Sequence, residues 1–323
     1  MKAFEFVEPS SPEDVVAALA GAARVIAGGS DLLGELKEGI RGYGTLVSLG
    51  GLGDGLRRIQ RSAGGGFEIG ALVTISELEL SKELVGPYAL LAEAARSVAT
   101  PEIRNQGTLG GNLCQRPRCL YYRNVLTPCL RKGGDACPAH EGPFQDYLSV
   151  FGDAGGCYAV SASDLGPPLV AMGARVSVQG PGGTREVEAE ALFIEDATRE
   201  TSLGPADMIM SVMLPPLPAN WRGLYLKGRE RTAGDFPVVS VAAGYELLDG
   251  RMSNVRLVLG GVAMAPRRSR RAESLLEGQA PSEDIGAQAA EAALEGARPL
   301  GSNGFKLDLA RALVGRTITR LGA

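Results

Sequence analysis

The chain has 323 residues, 45% hydrophobic and 22% charged, with a formal net charge of −4. That is the composition of a globular protein with a sizeable core in two or three compact units. The acidic balance argues against a general nucleic-acid binder, which carries a basic face, and no apolar run approaches the length of a bilayer span. A single histidine, His140, excludes an HExxH zinc site and leaves only one residue for Ser-His-Asp chemistry.

The first 60 residues read as α/β. "MKAFEFVEPSSPEDVV" has no apolar signal-peptide region, so the chain is expected in the cytoplasm. "SPEDVVAALAG" carries an N-cap signal and helical periodicity, and "ARVIAGG" reads as a short buried strand running into a glycine turn. "SDLLGELKEGI" predicts a helix and "GTLVSLGGL" another strand. From residue 56 the texture changes. "LRRIQRSAGGGFEIGALVT" predicts a hairpin, and residues 74–100 predict a helix broken near Pro87. Residues 114–157 show little periodicity. "PPLVAMGARVSVQGPGGTREVEAEALF" reads as a helix or strand and then a hairpin. "MIMSVMLPPLPANW" ends a strand in a proline-rich linker, which places a domain boundary near 215–220. Beyond it, "FPVVSVAAGYEL" and "VRLVLGGVA" predict strands, and "SRRAESLLEG", "EDIGAQAAEAALEGA" and "NGFKLDLARALVGRTI" predict helices.

Two glycine loops stand out. "VIAGGSDLL", residues 25–33, is a strand, a Gly-Gly turn, a Ser/Asp cap and a helix. Such a turn presents bare N–H groups where the helix dipole favours an anion. Gly28 and Gly29 let a phosphate approach, and Ser30 adds a hydroxyl donor. "GTLGGNLC", residues 107–114, is a second loop of this kind, with Thr108 and Asn112 flanking Gly110 and Gly111. Either loop alone reads equally as a tight turn; together they point to a dinucleotide. Neither is a GxGxxG fingerprint, and "GGLGDG" at 50–55 is followed by a strand-like segment, so a Rossmann mode is not indicated.

All five cysteines lie between residues 114 and 157, spaced C-x4-C-x9-C-x7-C-x19-C. Disulfides suit small secreted domains, and inert buried thiols scatter over core strands. A metal centre remains. Structural zinc usually shows C-x2-4-C knuckles, absent here, while an iron–sulfur cluster tolerates irregular spacing, so spacing alone leaves both open. Arg104, Arg116, Arg118, Arg123, Arg131 and Lys132 surround the segment, as suits a dianionic four-thiolate centre of either metal.

Taken together, "IAGGSDLL", "IRNQGTLGGNL", the "SDL" at 163–165, "YLKGRER" at 225–231 and "LGGVAMAPRR" at 259–268 resemble the FAD-binding subunit of molybdenum hydroxylases, the xanthine dehydrogenase and aldehyde oxidoreductase family. The resemblance runs nearly the whole chain in conserved order. It implies a two-lobed α/β and α+β FAD-binding domain of the vanillyl-alcohol-oxidase type over residues 1–218 (lobes 1–56 and 57–218) and a C-terminal α+β domain over 219–323 like that of CO dehydrogenase flavoproteins. Most of the family pass directly from the "GGN" loop to "SDL"; this chain inserts about forty residues, as do two branches that carry a 4Fe-4S cluster there. "QRPRCLYYRNVLTPC", "GGDACPAHEG" and "GGCYAV" are similar to the branch of three-subunit bacterial aldehyde oxidoreductases.

The resemblance implies Cys119, Cys129, Cys137 and Cys157 as cluster ligands and leaves Cys114 as a spare thiol beside the flavin loop. It implies that Val25, Ile26, Ala27, Gly28, Gly29, Ser30, Asp31 and Leu32 hold the pyrophosphate, with Thr108, Gly111 and Asn112 at the pyrophosphate or ribityl chain. Asp164, next to Ser163, is expected to accept from a ribose hydroxyl. Lys227, which read alone is a solvated strand lysine, is expected near the flavin or its phosphates. "VSASDL" lacks the His-Pro pair that this branch tends to carry before Ser-Asp, so any contact of that histidine has no counterpart. The insertion is expected on the second lobe, outside the FAD core.

No residue here reads as a base for substrate hydroxylation. The expected function is electron transfer: from two 2Fe-2S clusters on a small subunit, through FAD, to an external acceptor, with the molybdenum cofactor on a large subunit. The β subunit of a 4-hydroxybenzoyl-CoA reductase and a non-catalytic zinc-stapled assembly module are the alternatives. Co-export to the periplasm with a partner stays open.

Overall fold

A computed structural model describes all residues from Met1 to Ala323. Three sheets organise the chain. The first contains β1 (Glu5–Val7), β2 (Ala23–Ile26) and β3 (Thr45–Ser48), all parallel, with β3 in the centre. Parallel neighbours need crossovers, and helices supply them. The helix Pro12–Ala18 starts where the sequence signals it: Ser11 Oγ accepts from the Asp14 N–H, and Pro12 takes a position that needs no N–H donor.

The second sheet runs β4 (Ile59–Arg61), β5 (Phe67–Gly70), β6 (Arg175–Gly180), β7 (Gly183–Glu188) and β8 (Met208–Leu214), in the order β4-β5-β8-β6-β7. It is antiparallel throughout, and the predicted hairpins β4–β5 and β6–β7 are both present. Residues 74–100 form three pieces rather than two, Ile75–Leu80, a 3-10 turn Gly86–Tyr88 and Ala89–Ser97. The first opens with a capping box, in which Thr74 and Glu77 each satisfy the other's backbone N–H.

The third sheet is the antiparallel run β12-β11-β10-β9, from β9 (Trp221–Gly228), β10 (Val239–Leu248), β11 (Arg251–Gly260) and β12 (Arg267–Arg268). β10 is buried on both faces. Ala242 packs into the core shared with the second sheet, while Val241, Ala243 and Tyr245 pack into a second core under the helices Arg270–Leu276, Glu283–Ala293 and Phe305–Gly322. Period-two alternation therefore sends one strand into two cores. The single tryptophan, Trp221, lies across this sheet; a Cβ at Gly244 would come within 2.0 Å of its ring, so only glycine lets the indole lie flat there. No helix is long and apolar enough to cross a membrane.

One buried cation ties the C-terminal helix to the rest. Lys306 is fully buried, and its Nζ donates to the carbonyls of Leu148 (2.7 Å) and Gly261 (2.6 Å). Burial pushes its ammonium down to about 7, opposed by Asp146. Between that value and the ordinary lysine pKa of about 10.4 the unfolded chain binds one more proton than the native one, so Lys306 makes stability rise with pH across the window. The expected outcome is a wild-type unfolding free energy, from denaturant titration read by Trp221 fluorescence, that increases from about pH 7.5 to about pH 9.5 relative to Lys306→Met, by up to about 1.4 kcal/mol per pH unit. Equal pH slopes in the two proteins would show that Lys306 keeps an ordinary pKa.

Candidate functional site

The first glycine loop follows β2, at the carboxyl end of the parallel sheet, where ligands of α/β folds bind. Gly29 has φ of +69°, a conformation that glycine alone adopts freely. Gly28 is constrained from outside: a Cβ there would sit 1.7 Å from the Gln106 carbonyl oxygen. The two glycine loops are therefore pressed backbone to backbone. The second loop is fixed in turn by Leu109 N–H to Val73 O (2.8 Å) and Gly110 N–H to Ala71 O (2.9 Å), and Thr108 Oγ1 accepts from the Gly111 N–H (3.1 Å) to cap the helix Leu109–Leu113.

Between the loops lies a cavity of about 550 Å³, within the usual range for cofactor pockets. The whole of Val25, Ile26, Ala27, Gly28, Gly29, Ser30, Asp31 and Leu32 lines it, as do Thr108 and Gly111. So do residues that the sequence did not single out for this role, among them Tyr43, Arg116, Glu200, Leu203 and Asp207. Arg116 Nε is buried with no hydrogen-bond partner, an orphaned donor that an anionic ligand would satisfy. Glycine turns with no room for side chains and the orphaned Arg116 Nε beside them fit a dinucleotide, in a lining where four arginines face four carboxylates.

Asn112, Ser163, Asp164 and Lys227 do not line this cavity. They form a buried polar cluster reached through the helix Leu109–Leu113. Ser163 Oγ donates to Asn112 Oδ1 (2.6 Å) and accepts from the Gly166 N–H (3.0 Å). Asp164 accepts from Tyr225 Oη (2.6 Å) and Lys227 Nζ (2.8 Å), and Lys227 also donates to Ser97 O (3.0 Å). Lys227 is thus a buried ion-pair partner rather than a solvated strand lysine. Burial pushes the Asp164 carboxyl upward against the pull of Lys227, and it pushes the Tyr225 phenol well above its ordinary value. Nothing in "YLKGRER" marks Tyr225; its role follows from strand alternation, which puts residues 225 and 227 on one face.

The inserted segment packs on the second lobe, with Arg131 on Glu200 and Ala197 against the small cluster around Cys157, but it packs equally against the first α/β unit, and its Cys114, Gln115 and Arg116 line the cavity instead of lying outside it. Asp31, from the first glycine loop, accepts from the Arg116 N–H (2.8 Å), Arg118 Nη2 (2.9 Å) and Arg123 Nη2 (2.8 Å). Tyr122 is fully buried against Ile40 and donates to Glu35 Oε1. The arginines that flank the cysteines are therefore largely spent on carboxylates of the surrounding fold, and Arg104 pairs with Glu79 at 2.7 Å.

The cysteines are all unpaired as disulfides. Cys119 packs against Cys129 on one side and Cys157 on the other, and Cys137 hydrogen-bonds to Cys157. No three His, Cys, Asp or Glu side chains stand close enough together to hold a metal ion. The Cys157 thiol is pulled down to about 6, first by its hydrogen bond with Cys137 and also by Arg131, while Cys137 is raised by the same bond. Cys114 lines the cavity instead, and burial pushes its thiol up to about 11.

Residues 2–217 match the family model for the FAD binding domain in molybdopterin dehydrogenase, and residues 225–321 match that for the CO dehydrogenase flavoprotein C-terminal domain. The chain is 34% identical over 319 residues to the aldehyde oxidoreductase FAD-binding subunit PaoB of Escherichia coli K12, covering 96% of each. Among solved structures it resembles a chain of quinoline 2-oxidoreductase from Pseudomonas putida 86 (TM-score 0.76, 27% identity, 100% of this chain and 98% of that one). It also resembles a chain of carbon monoxide dehydrogenase from Hydrogenophaga pseudoflava (TM-score 0.78, 25% identity, 99% and 97%). On this evidence the chain belongs to the FAD-binding medium subunits of the molybdenum hydroxylases, a family of oxidoreductases.

Proposed function

We propose that this chain is the FAD- and 4Fe-4S-binding electron-transfer subunit of an aldehyde oxidoreductase-type complex. It would take reducing equivalents from a small subunit with two 2Fe-2S clusters and deliver them to an external acceptor, while substrate oxidation occurs at the molybdenum cofactor of a large subunit. The observation that carries the flavin half is the cavity between two glycine loops that no side chain can separate. FAD, when bound, supplies exchange of one or two electrons. The protein's share is to bind, orient and shield. The N–H groups of residues 28–32 would hold the pyrophosphate, with Gly111 leaving room for its approach. Arg116 would offer a cation, and Thr108 keeps its loop in register. Asp164 and Lys227 stand outside this cavity as a charge-compensated buried pair, and their share would be to brace the loop and strand behind it.

The metal half rests on the four neighbouring thiols, on a depressed Cys157 and on a buried guanidinium beside it. Four thiolates on four different irons need not converge on one point as the ligands of a single ion do. The same segment reaches the flavin cavity, so a cluster there would brace the cavity wall, whether or not it also relays electrons.

Gly28→Ala is expected to lower the flavin content of the purified chain at least tenfold, because the added methyl collides with the Gln106 carbonyl. Thr108→Ala loses one cap hydrogen bond, worth ~1 kcal/mol, and should weaken FAD binding only about fivefold. Full flavin in Gly28→Ala would remove the assignment of this cavity. Metal analysis tests the other half. The wild type and Cys114→Ala should each hold about four irons with matching sulfide, and Cys119→Ala should lose them. Zinc in place of iron would support a stapled module instead, and iron that survives Cys119→Ala but not Cys114→Ala would overturn the ligand set.

A further inference from the structure

Two carboxylates stand where an anion is expected. Asp31 ends the first glycine loop, Glu35 lies one turn further along in the helix Leu32–Lys37, and both line the cavity. Their side chains are only 17% and 2% exposed, so water and salt screen them poorly. Unpaired, they would repel a diphosphate held at residues 28–32. The first α/β unit offers neither of them an ion-pair partner; both take theirs from the inserted segment.

Arg123 stands between the two. Its Nη2 donates to Asp31 Oδ1 (2.8 Å), and its Nη1 lies 4.0 Å from Glu35 Oε1. It is held there by the carbonyls of Pro117 (2.9 Å) and Arg116 (3.2 Å), to which it also donates. Arg118 Nη2 meets the same Asp31 oxygen at 2.9 Å, and its guanidinium lies over the Phe236 ring, 4.4 Å from the centroid. Neither arginine lines the cavity. The two other carboxylates of the lining are matched elsewhere, Glu200 by Arg116 and Arg131, and Asp207 by Arg185.

On the flavin reading of this cavity, we propose that Arg118 and Arg123 are positioning residues for FAD. Acting through Asp31 and Glu35, they cancel the negative charge of the wall, so that the first glycine loop can take the diphosphate. A guanidinium stays charged at all accessible pH, so the compensation is permanent. The inserted segment thereby serves as the electrostatic lining of the flavin site, and it does so with or without metal at the cysteines.

The test is titration of FAD into the purified full chain after flavin removal, read by flavin fluorescence. Arg123→Met should weaken binding about tenfold, whereas Arg123→Lys, which keeps the charge, should stay within about threefold of wild type. Asp31→Asn should bind FAD about fivefold more tightly than wild type, and in the Arg123→Met background it should restore affinity to within about threefold. A purely structural brace predicts the reverse: each single variant weakens binding and the double variant is weaker still. Misfolding cannot produce a gain, so Asp31→Asn decides the matter where Arg123→Met fails to fold. With wild type binding FAD, an Asp31→Asn that binds no more tightly, or a folded Arg123→Met that binds as well, overturns the role of the two arginines. A wild type that takes up no FAD ends the flavin reading itself, and this role with it.

Discussion

The contact between Gly28 and the Gln106 carbonyl is the constraint on which the rest depends. Two loops nearly eighty residues apart in sequence are held so close that a single Cβ would not fit between them. Each loop is anchored to its own sheet, the first to the parallel strands and the second to the segment 71–73 beside the antiparallel sheet. The contact thus fixes the two lobes against each other at the cavity that both loops line. An anion site made in this way needs few charged side chains of its own, because the donors are backbone groups and their placement is set by packing.

Asp31 extends that constraint to the inserted segment. Its carboxylate sits in the first loop and accepts from one backbone N–H and two guanidinium groups of residues 116–123. The cysteines are consequently not an appendage. They begin where the cavity wall begins, at Cys114, and return to it through Arg131 and Glu200. A segment with little regular structure is held by ion pairs and by the buried Tyr122, which substitute for the core that a forty-residue insertion cannot make alone.

Glycines do opposite jobs in the two halves of the molecule. In the flavin loops they admit a ligand and a neighbouring backbone. In β9 and β10, Gly223 and Gly244 admit the indole of Trp221, which fills the space between the shared core and the third sheet. The third sheet can then serve two cores, with alternate residues of β10 assigned to each.

Local chemistry was legible in the sequence: the strand–glycine–helix turn at 25–32, the capped helix after Thr108, the hairpins, and the cysteines set apart in a basic segment. These depend on neighbours in the chain, on caps, on period-two and period-three-to-four patterns, and on residues with no Cβ. What only the tertiary structure decided was which charges meet. Arg116, Arg118, Arg123 and Arg131 look alike in sequence, yet Asp31 takes two of them and Glu200 holds the other pair. Lys227 looked like a solvated cation and is buried on Asp164. Long side chains select partners by distance and desolvation across elements that are far apart in sequence, and no local pattern encodes that choice.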